Sequence, residues 1–165
     1  MRPSQLILEH RRVLLAIDRL EQLVARTDTP DLPAIVDARW NYSRHMLEHL
    51  DHEEVEVLPA LEASGVAETV AQAARFRAMR ESIDDAHIAH AKRYWSNETL
   101  ADDFAGYRAS LLPLFPPVRD MIAREESDLY PLLVDVAGAA ASAKPQRYWK
   151  KNAWKYRSTA PYSRR

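Results

Sequence analysis

The sequence predicts an all-α protein, an up-down-up-down four-helix bundle, and two observations carry that prediction. Only three of the 165 residues are glycine, and runs of Val, Ile and Thr are scarce, which disfavours a sheet. Apolar residues recur at helical spacing in four long segments with short links between them, which is typical of a bundle. With 47% apolar and 28% charged residues, the chain is long enough for one domain with a real core.

The first two helices are predicted at about residues 4–26 and 33–60. Ser4 is a suitable N-cap for the first, and the segment TDTPDLP interrupts the pattern before the second begins. Pro59 marks the end of the second helix. The apolar stripe of the first helix is formed by Leu6, Val13, Leu14, Ile17, Leu20 and Val24.

The third and fourth helices are predicted at about residues 67–95 and 99–136. The fourth contains Pro113, Pro116 and Pro117. Proline lacks an N–H group and clashes with the preceding helical turn, so a straight helix cannot continue through this region. We therefore predict a kink or break at 113–117, after which the final helical segment restarts.

The chain divides into a bundle at 1–137 and a C-terminal extension at 138–165. From Lys144 onward there are eight Lys or Arg and no Asp or Glu, interleaved with Tyr and Trp, so the net charge of −1 conceals an acidic body and a basic tail. The absence of cysteine excludes disulfides, thiolate metal sites and a Cys nucleophile. No apolar run suggests a membrane span or a signal peptide, so we predict a cytoplasmic protein without membrane contact.

Polar residues interrupt the apolar stripes of the predicted helices. In the stretch HMLEHLDHEEVEVLP, His49 lies three residues after Met46 and four before Glu53, so both polar side chains share the inward face. His10 lies on the stripe of the first helix in the same way. Glu126 lies between Ile122 and Leu129 on the fourth.

Two interpretations of these polar residues are open. A buried, ionised carboxylate is costly unless it is paired or bound to a metal, and a metal site would explain two carboxylates and two imidazoles on inward stripes. Alternatively, each histidine is a hydrogen-bonded core residue and each glutamate reaches solvent at the edge of its stripe.

Three segments carry a resemblance to a known family. LEHRRVLLAIDRL in the first helix, HLDHEEVEVLPAL in the second and AREESDLYPLL in the fourth resemble the hemerythrin-like, or HHE cation-binding, family over roughly residues 4–136. The resemblance implies a four-helix bundle that holds a non-haem di-iron centre. It also implies functions such as binding oxygen, sensing iron, oxygen or redox state, and stress response.

The resemblance implies a metal-ligand set of His10, His49, Glu53 and Glu126. Glu125 is the alternative to Glu126 if the helical register shifts by one residue.

The sequence departs from the family pattern at the remaining ligands. Where the family has a histidine five residues before the carboxylate of the fourth helix, this chain has Met121. At the level of His10, the third helix presents Met79 rather than a histidine. A complete di-iron site would need His87 or His90 to reach the centre. We therefore predict a degenerate site that binds one metal or none.

Three classes of function follow from these observations. The first is a non-haem iron protein that binds a small diatomic ligand such as oxygen and senses oxygen, redox state or iron. The second is a metal-free bundle that serves as a protein interaction module, with homo-oligomer formation through the extension as one form of it. The third is an enzyme, which ranks below the sensor, and nucleic acid is a disfavoured partner.

Overall fold

The computed structural model describes residues 3–25 and 30–136. Within these ranges the chain is helical and contains no strand, which confirms the all-α prediction. None of the described helices is long and apolar enough to cross a membrane. The predicted extension at 138–165 lies outside the described residues, and the up-down-up-down order of the bundle stays a prediction.

The helices follow the predicted segments closely, but several are divided into shorter units. In the described part of the chain, the α-helices are α1 Pro3–Ala25, α2 Leu32–His52, α3 Leu58–Glu62, α4 Ala67–Arg93, α5 Asn97–Asp102, α6 Phe104–Leu111, α7 Phe115–Arg124 and α8 Tyr130–Val136. A side chain caps the start of three of them. Asp31 accepts a hydrogen bond from the N–H of Ala34 at α2, Ser96 caps α5, and Asp103 caps α6.

The predicted break in the fourth segment is confirmed. A 3-10 turn at Leu112–Leu114 separates α6 from α7, and Pro116 and Pro117 then occupy the first turn of α7, where a missing N–H costs little. A second interruption of this segment, at Asp103, was not predicted from the sequence. Because the Asp103 side chain accepts a hydrogen bond from the N–H of Gly106, the chain leaves α5 and starts α6 there.

Two π turns join α2 to α3 and α7 to α8, and a proline explains each. The turns cover Glu53–Val57 and Glu125–Leu129, and in each the sixth residue donates its N–H to the carbonyl of the first. Pro59 and Pro131 come immediately after that sixth residue. Their rings would clash with the carbonyl four residues earlier in a regular α-helix, and the wider π turn relieves that clash.

The core consists of two apolar clusters. The larger one contains Val13, Leu50, Met121 and Ile122, while the smaller one contains Leu6, Val57, Leu129 and Tyr130. On α1, on the α2–α3 segment and on the α7–α8 segment, a polar position falls between the members of the two clusters. The apolar core is therefore divided by a polar layer, which α4 crosses with Met79, a residue that packs against both clusters.

Candidate metal centre

The polar layer between the two apolar clusters is built from four buried side chains. His10 belongs to α1 and His49 to α2, while Glu53 and Glu125 are the first residues of the two π turns. The two histidines are fully buried, and each glutamate is only 2% exposed. Burial to this degree is rare for ionisable side chains unless other groups or ions compensate their charge.

Three of these side chains direct donor atoms at one point. Nε2 of His10 lies 3.2 Å from Nε2 of His49 and 3.1 Å from Oε2 of Glu125. Nε2 of His49 lies 3.8 Å from the same oxygen of Glu125. One donor atom from each of these residues lies within 4.8 Å of the others, so the group can hold a metal ion.

Outer carboxylates orient both imidazoles. Nδ1 of His10 lies 2.8 Å from Oε1 of Glu126, and Nδ1 of His49 lies 3.4 Å from Oε2 of Glu9. A carboxylate accepts the Nδ1 proton and thereby leaves the Nε2 lone pair free to face inward. Histidines that bind metals are oriented by carboxylates in this way.

Glu53 and Tyr130 complete the layer. The Tyr130 hydroxyl lies 2.9 Å from Oε1 of Glu53, to which it donates, and 2.9 Å from Nε2 of His10. Oε2 of Glu53 lies 3.8 Å from Nε2 of His49. Glu53 is therefore next to the three-residue group, and its nearer oxygen is occupied by the tyrosine.

Without a metal, protons balance the charges of the layer. Burial opposes ionisation of His49, but the negative charge of Glu53 and its contacts with Glu125 and Glu9 outweigh it and raise the pKa of His49 to about 10. Burial, together with the charge of Glu125, raises the pKa of Glu53 to about 7. For Glu125, the contacts with both imidazoles overcome burial and lower its pKa. A metal ion would replace these protons as the compensating charge.

The residues present fit a metal ion. Two imidazoles turn their Nε2 atoms toward each other, an arrangement that a single shared proton or a cation must stabilise. Oε2 of Glu125 is buried and has no hydrogen-bond partner among the described residues. Nitrogen and carboxylate oxygen are donors suited to first-row transition metals.

The structure brings together only part of the predicted ligand set. His10 and His49 belong to the group, and Glu53 borders it. Glu126 lies outside the group, because its side chain is 38% exposed and its carboxylate contacts the outer nitrogen of His10. Glu125, the register alternative, is the inward carboxylate.

Glu125 rather than Glu126 faces inward because the apolar stripe on α7 is wider than the sequence-based prediction assumed. The prediction took the stripe to run through Ile122 and Leu129, but Val118 and Met121 are also buried. The centre of the stripe therefore falls on Glu125, four residues after Met121.

A sequence signal for Glu125 was available. The second and fourth predicted helices share the pattern EExxxLP or EExxxYP, in which Glu53 and Glu125 each stand six residues before a proline. Aligning the prolines pairs Glu125 with Glu53. The same alignment pairs Tyr130 with Leu58, and Tyr130 is the residue of the centre that the sequence analysis missed.

His87 and His90 lie away from the centre. His87 and His90 line a separate cavity of about 60 Å³ beside Tyr42 and Arg39. Nδ1 of His87 donates to the Ile83 carbonyl and its Nε2 accepts from Tyr42 at 2.7 Å, so hydrogen bonds within the bundle occupy both nitrogens. Burial lowers the pKa of His87, as expected for a neutral core imidazole.

A helical bundle with two inward imidazoles and an inward carboxylate in a buried polar layer defines a class of metal-binding helical proteins. The family model described as the hemerythrin HHE cation binding domain matches residues 3–133. The chain therefore belongs to the hemerythrin HHE cation-binding family, as its sequence resemblance predicted. No curated protein and no solved structure is significantly similar to it.

Proposed function

We propose that this protein binds one non-haem iron ion at the centre and senses oxygen or redox state through it. One observation carries the proposal. The Nε2 atoms of His10 and His49, whose imidazoles are each oriented by an outer carboxylate, converge on Oε2 of Glu125, which has no hydrogen-bond partner among the described residues. Two histidines and one carboxylate are the ligand set of many non-haem Fe(II) sites that keep open positions. An iron ion held in this way supplies a redox change and a place for a small diatomic ligand such as oxygen.

The surrounding residues support reversible sensing rather than turnover. Glu9 and Glu126 hold the imidazoles in one tautomer, so little reorganisation is needed when the metal binds. The two apolar clusters enclose the layer from both sides and limit the access of water and of larger substrates. We therefore rank sensing above enzymatic activity, and we place the protein in the cytoplasm, where oxygen and redox state vary.

Metal content tests the proposal directly. The purified protein is loaded anaerobically with ferrous iron, freed of excess metal and analysed by mass spectrometry. We expect about one iron per chain in the wild type and none in His49→Ala, because that variant lacks one of the donor atoms that a first-row metal needs at this site. His45→Ala is the matched control: His45 belongs to the same helix, one turn earlier, and contacts Glu48 rather than the centre.

Three results are distinguishable. One iron that His49→Ala removes and His45→Ala retains, with a reversible change in visible absorption on exposure to oxygen, supports the sensor. Two irons per chain would contradict the single-iron site. Iron that survives in His49→Ala would separate metal binding from this centre.

A metal-free interaction module is the second candidate, and a specific observation favours it. Tyr130 already donates to Glu53, and His49 is stabilised in its protonated form, so the layer is largely satisfied without a metal. The loading experiment decides between the two, since absence of iron from a folded wild-type protein supports the module. Under that outcome we propose homo-oligomer formation through the 138–165 extension, tested by light scattering of the full chain and of a variant ending at residue 143.

A further inference from the structure

Among the described residues, Tyr130 is the tyrosine whose hydroxyl belongs to the polar layer. Its side chain is 2% exposed and its ring stacks on His10, with centroids 5.3 Å apart and planes inclined by 19°. The hydroxyl lies inside the centre, 2.9 Å from Nε2 of His10. Buried tyrosine hydroxyls usually find a hydrogen-bond partner, and the partners of this one belong to the centre.

With His10 as a neutral imidazole, the hydrogen bonds around this hydroxyl cannot all be made at once. Tyr130 has a single proton, which it donates to Oε1 of Glu53. The Nδ1 proton of His10 is given to Glu126, so Nε2 of His10 faces the phenolic oxygen with a lone pair. Two lone pairs at 2.9 Å repel each other unless a proton or a metal ion lies between them.

We propose that the phenolic oxygen of Tyr130 is a direct ligand of the metal ion, joining the two imidazoles and Glu125. This inference rests on the proposed iron site. On binding, the O–H bond of Tyr130 breaks and its proton passes to Oε1 of Glu53, which already accepts that hydroxyl. A lone pair of the phenolate oxygen forms the bond to the ion, and no electron is transferred.

The spacing of the donor atoms supports this assignment. The contacts of His10 Nε2 with Tyr130, Glu125 and His49 measure 2.9, 3.1 and 3.2 Å. Neighbouring ligands about 2.1 Å from one ion in an octahedral arrangement lie about 3.0 Å apart. Measured from Nε2 of His10, the phenolic oxygen therefore lies at about the same distance as the donor atoms of Glu125 and His49.

The proposal also gives Glu53 a defined role. Its nearer oxygen is occupied by the Tyr130 hydroxyl, and it does not belong to the converging group of His10, His49 and Glu125. As the proton acceptor it becomes a neutral acid that donates back to the phenolate. A hard, anionic phenolate favours ferric over ferrous iron, so Tyr130 would bias this sensor toward its oxidised state.

Visible and resonance Raman spectra of the ferric, iron-loaded full chain test the inference. We expect a phenolate-to-iron charge-transfer band in the visible region. Excitation within that band should enhance tyrosine ring vibrations. Tyr130→Phe should lose the band completely while it retains iron, because the two imidazoles and Glu125 remain, and its reduction potential should rise as the ferric state loses an anionic ligand.

Tyr107→Phe is the matched control. Tyr107 is fully buried and its hydroxyl has no hydrogen-bond partner among the described residues, so its removal should leave the band intact. If Tyr130→Phe does not fold, wild-type protein made with ring-deuterated tyrosine replaces it, and the enhanced vibrations should shift.

The outcomes separate this inference from the proposed function. Iron in the wild type without a phenolate band, a band that persists in Tyr130→Phe, or enhanced vibrations that do not shift on deuteration would overturn the role of Tyr130 and leave the iron site standing. No iron in the wild type would overturn both.

Discussion

The two glutamates at the start of the second π turn lie next to each other in sequence and have opposite environments. Glu125 is 2% exposed and points at the imidazoles, while Glu126 is 38% exposed and accepts from the outer nitrogen of His10. One is placed to bind a metal and the other to orient a ligand. Their contributions to metal affinity should therefore differ in size.

Glu125→Ala should abolish iron binding, because it removes the only anionic member of the converging group. Glu126→Gln keeps the size of the side chain and should weaken binding by only about 10–100-fold, the usual effect of losing an orienting carboxylate. Titration of the apo-proteins with ferrous iron measures both. The reverse order would make Glu126 the ligand, as the sequence analysis predicted.

His90 makes the stability of the fold depend on pH. Its Nδ1 lies 3.1 Å from Ser110 Oγ, whose own proton goes to the Gly106 carbonyl, so His90 donates from Nδ1. Burial, then the repulsion that would arise if His87 and His90 were both protonated, and the positive charge of Arg39 lower the pKa of His90 to about 4. The imidazole therefore remains neutral in the folded protein at pH values where the unfolded chain is protonated.

Glu53, whose pKa is raised to about 7, makes the folded protein bind a proton first and so contributes a slope of the opposite sign. The contribution of His90 should lower the free energy of unfolding as the pH decreases from about 6.5 to about 4, since at this residue the unfolded state then binds more protons than the folded state. His90→Gln should flatten this slope, although it also changes the hydrogen bond to Ser110. Urea unfolding of metal-free protein at several pH values measures the effect. Parallel curves for wild type and variant would assign the slope to other groups.

At the scale of elements, the two π turns present the carboxylates of the centre. Each turn begins at an inward glutamate and is followed, after one intervening residue, by a proline, so the helix widens where a side chain must be directed at the layer. Single π turns within α-helices are frequent at functional sites. The widening follows from the local sequence, because Pro59 and Pro131 exclude a regular α-helical turn.

Pro131→Ala should restore a regular turn, because alanine supplies the missing N–H and removes the ring. The side chain of Glu125 would then rotate away from the imidazoles, and iron affinity should fall by at least about 10-fold, while the free energy of unfolding stays equal or rises. Iron titration and urea unfolding measure the two quantities. Pro113→Ala is the control, since it lies in the 3-10 turn. Unchanged iron affinity in Pro131→Ala would show that the π turn does not position Glu125.

At the scale of the whole molecule, the polar layer divides a core that is otherwise apolar. Buried charged groups need partners, and an apolar replacement of similar volume is often as stable or more so. Under the proposed function the layer serves binding rather than folding, and stability and function should then separate under mutation.

Replacing the whole layer with apolar residues tests this separation. A variant with His10→Leu, His49→Leu, Glu53→Met, Glu125→Met and Tyr130→Phe should not bind iron. In metal-free buffer its free energy of unfolding should equal that of the wild type or exceed it by about 1–4 kcal/mol. Circular dichroism during urea unfolding measures this. A marked loss of stability would mean that the polar network holds the bundle together.

The sequence by itself determined the helical class, the break near the prolines and the inward positions of His10 and His49. These depend on local rules, namely the helical period and the geometry of proline, which act within a few residues. The family followed from the same local motifs, and the family match over 3–133 confirms it.

Only the tertiary structure decided between Glu125 and Glu126 and revealed Tyr130. Neighbouring residues on a helix differ by about 100°, and the full width of the apolar stripe is visible only in the packed structure, so the choice depends on how α7 packs against α1 and on the π turn. In the sequence pattern, Tyr130 cannot be distinguished from an apolar core residue. Its hydroxyl meets His10, 120 positions away in the chain, only after the helices have packed.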